Sequence, residues 1–359
     1  MFKLNVIQAA FGDCLLLEYG TNSRRFILID GGPPNVFAMS LRPQLEQIAQ
    51  AGAPIDLVVL SHVDNDHITG LLDYFVELRV NNNGLPLPAG LWHNSFTAAL
   101  DPNGLIAPRL ASLNALMTAG VMSATDQAVQ GIGEGASLRT QALALQMPLN
   151  VGFPGGLITV DNAPGPVSFD NLELTVVGPT QANLDKLQQK WIEWLDTHEN
   201  DILSGNPFVM ANSDASVPNL SSIMLLAKAD NRTMLLTGDG RSDHLLDGLG
   251  QVGLLDANGA MHVDVLKLPH HASARNITKK FFSQVTADTY VASANGKDGN
   301  PDLATLIWLV EAAKETQRQV KLVVTNTTPS VEKLLAEYPP SDYTYSLTVM
   351  PAGTNSITV

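Results

Sequence analysis

Short apolar runs separated by turn residues dominate the first sixty positions. KLNVIQ (3–8), CLLLEYG (14–20), RFILIDGG (25–32) and IDLVVLS (55–61) have strand length, are mostly rich in Leu, Ile and Val, and have Gly, Asp, Asn or Ser at or near their ends. A polar-apolar helical stretch separates the last two. From His67 to Val80 the pattern changes: Ile68, Leu71, Leu72, Phe75 and Leu78 recur at three and four residue spacing, which predicts an amphipathic helix.

The Ala-, Leu-, Gln- and Ser-rich stretch 97–147 predicts helices that form an insertion or a lid. After a Gly/Pro-rich break at 152–166, strand-like runs return at 172–178, 221–228, 232–239, 263–269, 289–294 and 321–326. Helical segments are predicted at 181–197, 241–249, 276–285 and 301–317. Strands and helices interleave with no linker or repeat. The expectation is one α/β domain over 1–359, interrupted by an insertion at about 97–165.

The chemistry concentrates where strands end. Ser61-His62-Val63-Asp64-Asn65-Asp66-His67 joins an apolar strand to a helix and places four metal-ligand side chains within six residues. In an extended turn His62 and Asp64 share a side, and Asp66 and His67 at the helix start can serve a neighbouring position, so the spacing can feed two cations. The bland alternative is an Asp helix cap beside surface histidines. Two more strands end the same way, RTMLLTGD in Asp239 and VDVLKLP ahead of His270-His271. Three such endings predict a site built along one edge of a sheet.

The ordered set HVDNDH, LLTGD and LKLPHH resembles the metallo-β-lactamase-fold hydrolases, whose first motif is His-x-His-x-Asp-His. With Asp64 at the second histidine, it is most similar to the ComEC-type branch associated with DNA uptake, whose histidine pair usually reads His-His-Gly-Ser; here it is His270-His271-Ala272-Ser273. The resemblance extends to Phe11-Gly12-Asp13-Cys14, Leu28-Ile29-Asp30-Gly31-Gly32 and Ser221-Ser222. It implies a four-layer αββα sandwich with a helical insertion and one or two divalent ions, Zn or Mn. His62 and Asp64 would hold one ion and Asp66, His67 and His270 the other, with Asp239 bridging, Asp30 supporting from below, and Asp66 doubling as the catalytic proton acceptor. The family's additional histidine has no clear counterpart. His93 is the best substitute, His198 a further one, and His271 another metal or substrate contact.

Composition narrows the functions. Lys plus Arg number 21 against 35 Asp plus Glu, a net charge of −14, which disfavours broad binding to nucleic acid or anionic membrane while leaving room for a local basic groove. A single cysteine, Cys14, excludes an intrachain disulfide framework and a cysteine-based zinc finger and points to the cytosol, and no run is long and apolar enough to span a membrane. Gly131 to Ala136 fits a loose Gly-x-Gly-x-x-Ala string without the preceding strand of a dinucleotide site and is expected to be a loop. Lys267, Arg275, Lys279 and Lys280 flank the histidine pair; Lys267 and Arg275 are the candidate phosphate contacts, against the bland reading of a solvated helix face.

Three readings follow. The first is a metal-dependent hydrolase acting through a metal-bound hydroxide on a phosphodiester, either small or nuclease-like. The second changes the bond to a lactone, thioester or amide. The third is a non-catalytic binding or assembly protein on the same fold.

Overall fold

The computed structural model describes residues 1–80, 84–94, 127–203 and 221–359, with positions 99, 101, 103–104 and 109 between them. The elements are β1 (Lys3–Ile7), β2 (Leu15–Tyr19), β3 (Arg25–Ile29), α1 (Arg42–Gln50), β4 (Ile55–Val59), α2 (Asn65–Val80), β5 (Leu91–Trp92), α3 (Gln127–Ala144), β6 (Val167–Phe169), β7 (Leu172–Gly178) and α4 (Gln181–Leu203). They continue with β8 (Met224–Ala229), β9 (Arg232–Leu236), α5 (Ser242–Gln251), β10 (Met261–Lys267), α6 (Phe281–Gln284), β11 (Val285–Ala292), α7 (Leu303–Glu315), β12 (Val320–Val324), α8 (Pro329–Glu337), β13 (Tyr345–Val349) and β14 (Ser356–Thr358).

These strands make two sheets, ordered β14-β1-β2-β3-β4-β5 and β13-β12-β11-β10-β9-β8-β7-β6. In each, an antiparallel portion adjoins a parallel one, β3 through β5 in the first sheet and β9 through β13 in the second. Strands buried on both faces read as continuous apolar runs, and their period of two sorts the side chains. Ile27 and Ile29 of β3 point into the core between the sheets, joining Val265 of β10; Phe26 and Leu28 point outward to a second core with Leu45 of α1, Ile68 and Phe75 of α2 and Leu138 of α3. Leu266 of β10 faces a third core with Leu245 of α5, Phe281 of α6 and Leu309 of α7. Three cores between four layers give the αββα sandwich that the motifs imply.

Several expected boundaries move. The helix predicted over 276–285 shrinks to α6, because Val285 to Ala292 is the strand between β10 and β12. The Gly131–Ala136 string lies inside α3 rather than in a loop. That helix belongs to the expected insertion and docks beside α2 through Leu138 and Ala142; much of 97–126 lies outside the described residues. No described helix is long and apolar enough to cross a membrane.

One contact fixes the helix that matters most. A Cβ on Gly70 of α2 would lie 1.9 Å from the carbonyl oxygen of Gly31, so only two glycines let α2 cross the segment after β3 at backbone distance. The amides of Gly31 and Gly70 then donate to the carbonyls of His67 and Gly32 at 2.7 and 3.0 Å. The first turn of α2 is thereby held against the end of β3.

Candidate metal centre

The carboxyl ends of β3, β4, β9, β10 and β11 converge at one end of the sandwich, the place where open parallel sheets present loops to a ligand. The site is therefore built across both sheets and not along one edge of a single sheet. Ser61, after β4, ties them together: its carbonyl accepts from the Ile223 amide at 2.8 Å, and its own amide and hydroxyl each donate to Asp30 at 2.7 Å.

Asp239 lies within the turn that follows β9, closed by the Gly240 amide on the Thr237 carbonyl at 3.0 Å, and stands between two sets of side chains. Its Oδ2 lies 3.7 Å from His62 Nε2 and 3.5 Å from His270 Nε2, and His62 Nε2 is also 3.6 Å from Asp64 Oδ2. Its Oδ1 lies 3.3 Å from His67 Nε2 and 3.4 Å from His271 Nε2, and Asp66 Oδ2 stands 3.9 and 3.4 Å from those two nitrogens. By these distances His62, Asp64 and His270 gather on the Oδ2 side and Asp66, His67 and His271 on the Oδ1 side, although ligand atoms of His62, Asp66 and His67 also lie within 4.8 Å of one another, so the two sides are contiguous. The expectation that His270 accompanies Asp66 and His67 is replaced by its neighbour. The cause is backbone: His270, His271 and Ala272 have φ of 45°, 53° and 67°, and this left-handed turn aims successive imidazoles to opposite sides.

Burial and mutual proximity set the electrostatics of these groups. Burial pushes the Asp64 carboxyl up, with Asp66 and Asp239 adding to the effect. Burial also opposes charge on Asp239, yet His271, His270, His67 and His62 hold it well below the ordinary carboxylate value. Burial and the nearby His67 lower His62 to about 3, while His271, despite burial, is pushed up to about 10 by Asp239 and Asp13. Three carboxylates and four imidazoles converge, with His62, His67, His271 and Asp239 buried and Asp66 and His270 about a quarter exposed.

A divalent cation fits this donor set. His62 Nε2, His67 Nε2, His271 Nε2, Asp64 Oδ1 and Asp239 Oδ1 are buried without a hydrogen-bond partner among the described residues. Leaving several polar atoms so is costly unless a ligand satisfies them. Donors about 2 Å from a tetrahedral ion lie about 3.3 Å from each other, close to the spacings around Asp239. Each imidazole is also oriented from behind: His67 Nδ1 by Asp30 at 2.8 Å, His62 Nδ1 by the Ser61 hydroxyl at 3.0 Å, His270 Nδ1 by Asn276 Oδ1 at 2.9 Å and His271 Nδ1 by the Ser293 carbonyl at 2.9 Å.

The remaining candidates separate. His93, at the end of β5, is buried with both ring nitrogens lacking hydrogen-bond partners among the described residues, but its ring abuts α3, where a Cβ on Gly135 would meet Cε1 at 3.6 Å. Burial, aided by Arg139, lowers it to about 4, and no described ion pair joins it to the cluster carboxylates. The His198 side chain lies outside the described residues. Lys267 does not reach a substrate: it is 0% exposed and paired with Asp13 beneath the site, because its strand position points it inward. Arg275 is exposed in the turn after the histidine pair. Asp13 was not singled out from the sequence, although it stands in the Phe11-Gly12-Asp13-Cys14 run; its ligand atoms and those of His67, Asp239 and His271 lie within 4.8 Å of one another.

Residues 8–94 match the sequence profile of the metallo-beta-lactamase superfamily. No curated protein matches the chain. Among solved structures, the metallo-beta-lactamase fold protein YhfI from Bacillus subtilis is similar at 10% identity over 100% of this chain and 99% of its own, with a TM-score of 0.43. CmlA, a diiron beta-hydroxylase from Streptomyces venezuelae, is 11% identical over 100% of this chain and 54% of its own, at 0.42. Zn(2+)-bound PqqB from Methylobacterium extorquens is 11% identical over 99% of both chains, at 0.36. The four-layer architecture and the match over residues 8–94 together identify a metallo-beta-lactamase fold, with a superfamily domain signature in the first ninety or so residues of the chain.

Proposed function

We propose that this protein is a metal-dependent hydrolase with a two-ion centre, and that its substrate class is a phosphodiester. The observation that carries the reading is Asp239, whose two oxygens each face a separate group of two imidazoles and one further carboxylate. His62, Asp64 and His270 would hold one ion, Asp66, His67 and His271 the other, and Asp239 both. The donors are nitrogen and oxygen with no sulfur, a set that suits Zn or Mn. Bound there, such ions supply Lewis acidity and lower the pKa of water toward neutrality.

The chain's own residues supply orientation and proton handling. Asp30 fixes the His67 ring, and Asp66, about a quarter exposed and beside His271 and His67, is the carboxylate best placed to take a proton at the mouth. Arg275, exposed in the turn after the histidine pair, is the cation we assign to meet an anionic substrate, with Lys280 exposed a few residues on.

Burial of Lys267 favours a second reading. Without it the basic patch is thinner, and with a net charge of −14 a neutral lactone, thioester or amide becomes a competing substrate class. A metal-reconstituted preparation assayed on matched phosphodiester and ester panels separates the two. Turnover of phosphodiesters that falls in Arg275→Ala supports the first; turnover confined to lactones, thioesters or amides replaces it with the second. Two bound ions with no turnover on either panel would favour a binding or assembly role.

A further inference from the structure

The two donor groups differ in what stands behind their imidazoles. On the His62 side the backing atoms are neutral, the Ser61 hydroxyl and the Asn276 side-chain oxygen. On the Asp66 side both histidines have a buried carboxylate behind them: Asp30 at 2.8 Å from His67 Nδ1, and Asp13 Oδ1 at an ion-pair distance of 3.5 Å from His271 Nδ1, whose hydrogen bond goes to the Ser293 carbonyl at 2.9 Å. A carboxylate behind an imidazole fixes the tautomer that turns Nε2 toward the cation and raises its basicity as a ligand.

Asp13 holds this position through three contacts. Its amide donates to the Asp66 carbonyl at 3.2 Å, its Oδ1 faces His271, and its Oδ2 is paired with Lys267, which also donates to the Gly238 carbonyl at 3.4 Å. Lys267 and Asp13 are 0% and 1% exposed, so the lysine keeps the aspartate ionised where water cannot. The lysine contacts the far oxygen, and the pair therefore presents its negative end to His271. Ser293 completes the clamp, its hydroxyl donating to the Gly12 carbonyl at 2.7 Å while its own carbonyl accepts from His271. Exposure separates only the histidine pair, 23% for His270 against 3% for His271; His62 and His67 are both 0% exposed, and Asp66 at 24% is more open than Asp64 at 13%, so the difference between the two positions lies in the backing carboxylates.

We infer that the Lys267–Asp13 pair is a positioning device for His271 and that, together with Asp30 behind His67, it makes the Asp66–His67–His271 position the first to fill, with the His62–Asp64–His270 position looser. This rests on the metal-centre reading above.

The test is a zinc titration of the metal-free full-length protein labelled with 15N-histidine. At one equivalent the Nε2 signals of His67 and His271 shift to metal-bound values while those of His62 and His270 do not; the latter follow at the second equivalent. Equal partial shifts of all four rings, prior shifts of His62 and His270, or ligation of His271 through Nδ1 would overturn the inference while leaving the metal centre standing. No ring shift at either equivalent would remove the metal centre itself. In Asp13→Asn/Lys267→Met, which deletes both buried charges together, the tighter zinc step weakens by about 10- to 100-fold and the looser one is unchanged. Two unchanged steps in that variant also count against the inference, and the wild-type titration decides the matter if the variant does not fold.

Discussion

His270 and His271 are neighbours in the chain, yet they address opposite oxygens of one carboxylate, His270 at 3.5 Å from Asp239 Oδ2 and His271 at 3.4 Å from Oδ1. A dipeptide in a strand would achieve the same divergence by pleat. Here the strand has ended, and two consecutive left-handed residues do it within a turn pinned by the His270 amide on the Gly238 carbonyl at 3.1 Å. Holding non-glycine residues in this region costs about 1–3 kcal/mol each. Such strain is tolerable where the surroundings over-determine the conformation, as the contacts to Asn276 and Ser293 do.

The division makes a prediction that separates the two histidines. On the metal-centre reading, His270→Ala and His271→Ala each reduce bound metal from near two per chain to near one, whereas Asp239→Ala drops it toward zero. Elemental analysis after dialysis against trace metal checks this. Equal metal in all three variants and the wild type would contradict the assignment of donors.

Much of this site is legible in the sequence because its parts sit at strand ends. A run such as RTMLLTGD advertises both the strand and the carboxylate at its terminus, and HVDNDH announces a helix start by the apolar period that follows. Which histidine joins which group is not legible, since that depends on φ at 270 and 271, and a histidine carries no sign of a left-handed backbone. Lys267 misleads for a related reason: a lysine three places before a histidine pair reads as a surface cation, and only the partner Asp13, more than two hundred and fifty residues away, draws it inside. The short strands β6 and β14 carry too few residues to show a period, and β14 forms by pairing with β1 at the far end of the chain.

Lys267→Met is expected to destabilise the fold by about 3–5 kcal/mol, because it strands a buried carboxylate without its counter-ion. Denaturant unfolding measures it. Arg241→Ala, which removes an exposed pair with Asp243 at 2.9 Å, is the control and should cost about 0–1 kcal/mol. A Lys267→Met loss no larger than the control would mean that the pair is hydrated.

Gly70→Ala should reverse the usual effect of replacing a helical glycine. Alanine in a helix interior is normally favoured over glycine by about 1 kcal/mol. At Gly70 the new methyl carbon would stand 1.9 Å from the Gly31 carbonyl oxygen, with backbone on both sides of the contact, so we expect a net loss of about 3 kcal/mol or more. Gly133→Ala in α3, where a Cβ meets nothing within 4 Å, supplies the comparison and should stabilise by about 0.5–1 kcal/mol. Melting temperatures of the two variants should move in opposite directions.

The metal-free protein should lose stability at both ends of the pH range, and metal should abolish the alkaline loss. His271 rises from 6.5 unfolded to about 10 folded, against the effect of burial, because Asp239 and Asp13 favour its charged form. A raised value means that its contribution is complete below 6.5 and disappears as pH climbs through about 10. Asp239 moves the other way: against burial, His271 and its fellow histidines hold it well below 3.8, so its contribution is complete above 3.8 and is lost as pH falls toward its folded value. The contributions of His271 and Asp239 are both complete between 3.8 and 6.5, but His62, lowered to about 3, and Asp64, raised by burial, oppose them within that window, so the feature that singles out His271 is the decline toward pH 10. A bound cation replaces the proton on His271, so zinc uptake at pH 7 must release protons, and the loaded protein should show no decline across the same alkaline interval. Melting temperature against pH, with and without zinc, gives the first result; calorimetric titration in two buffers of different ionisation enthalpy gives the second. Identical alkaline profiles for the loaded and metal-free forms, with no proton release, would show that His271 is not a ligand.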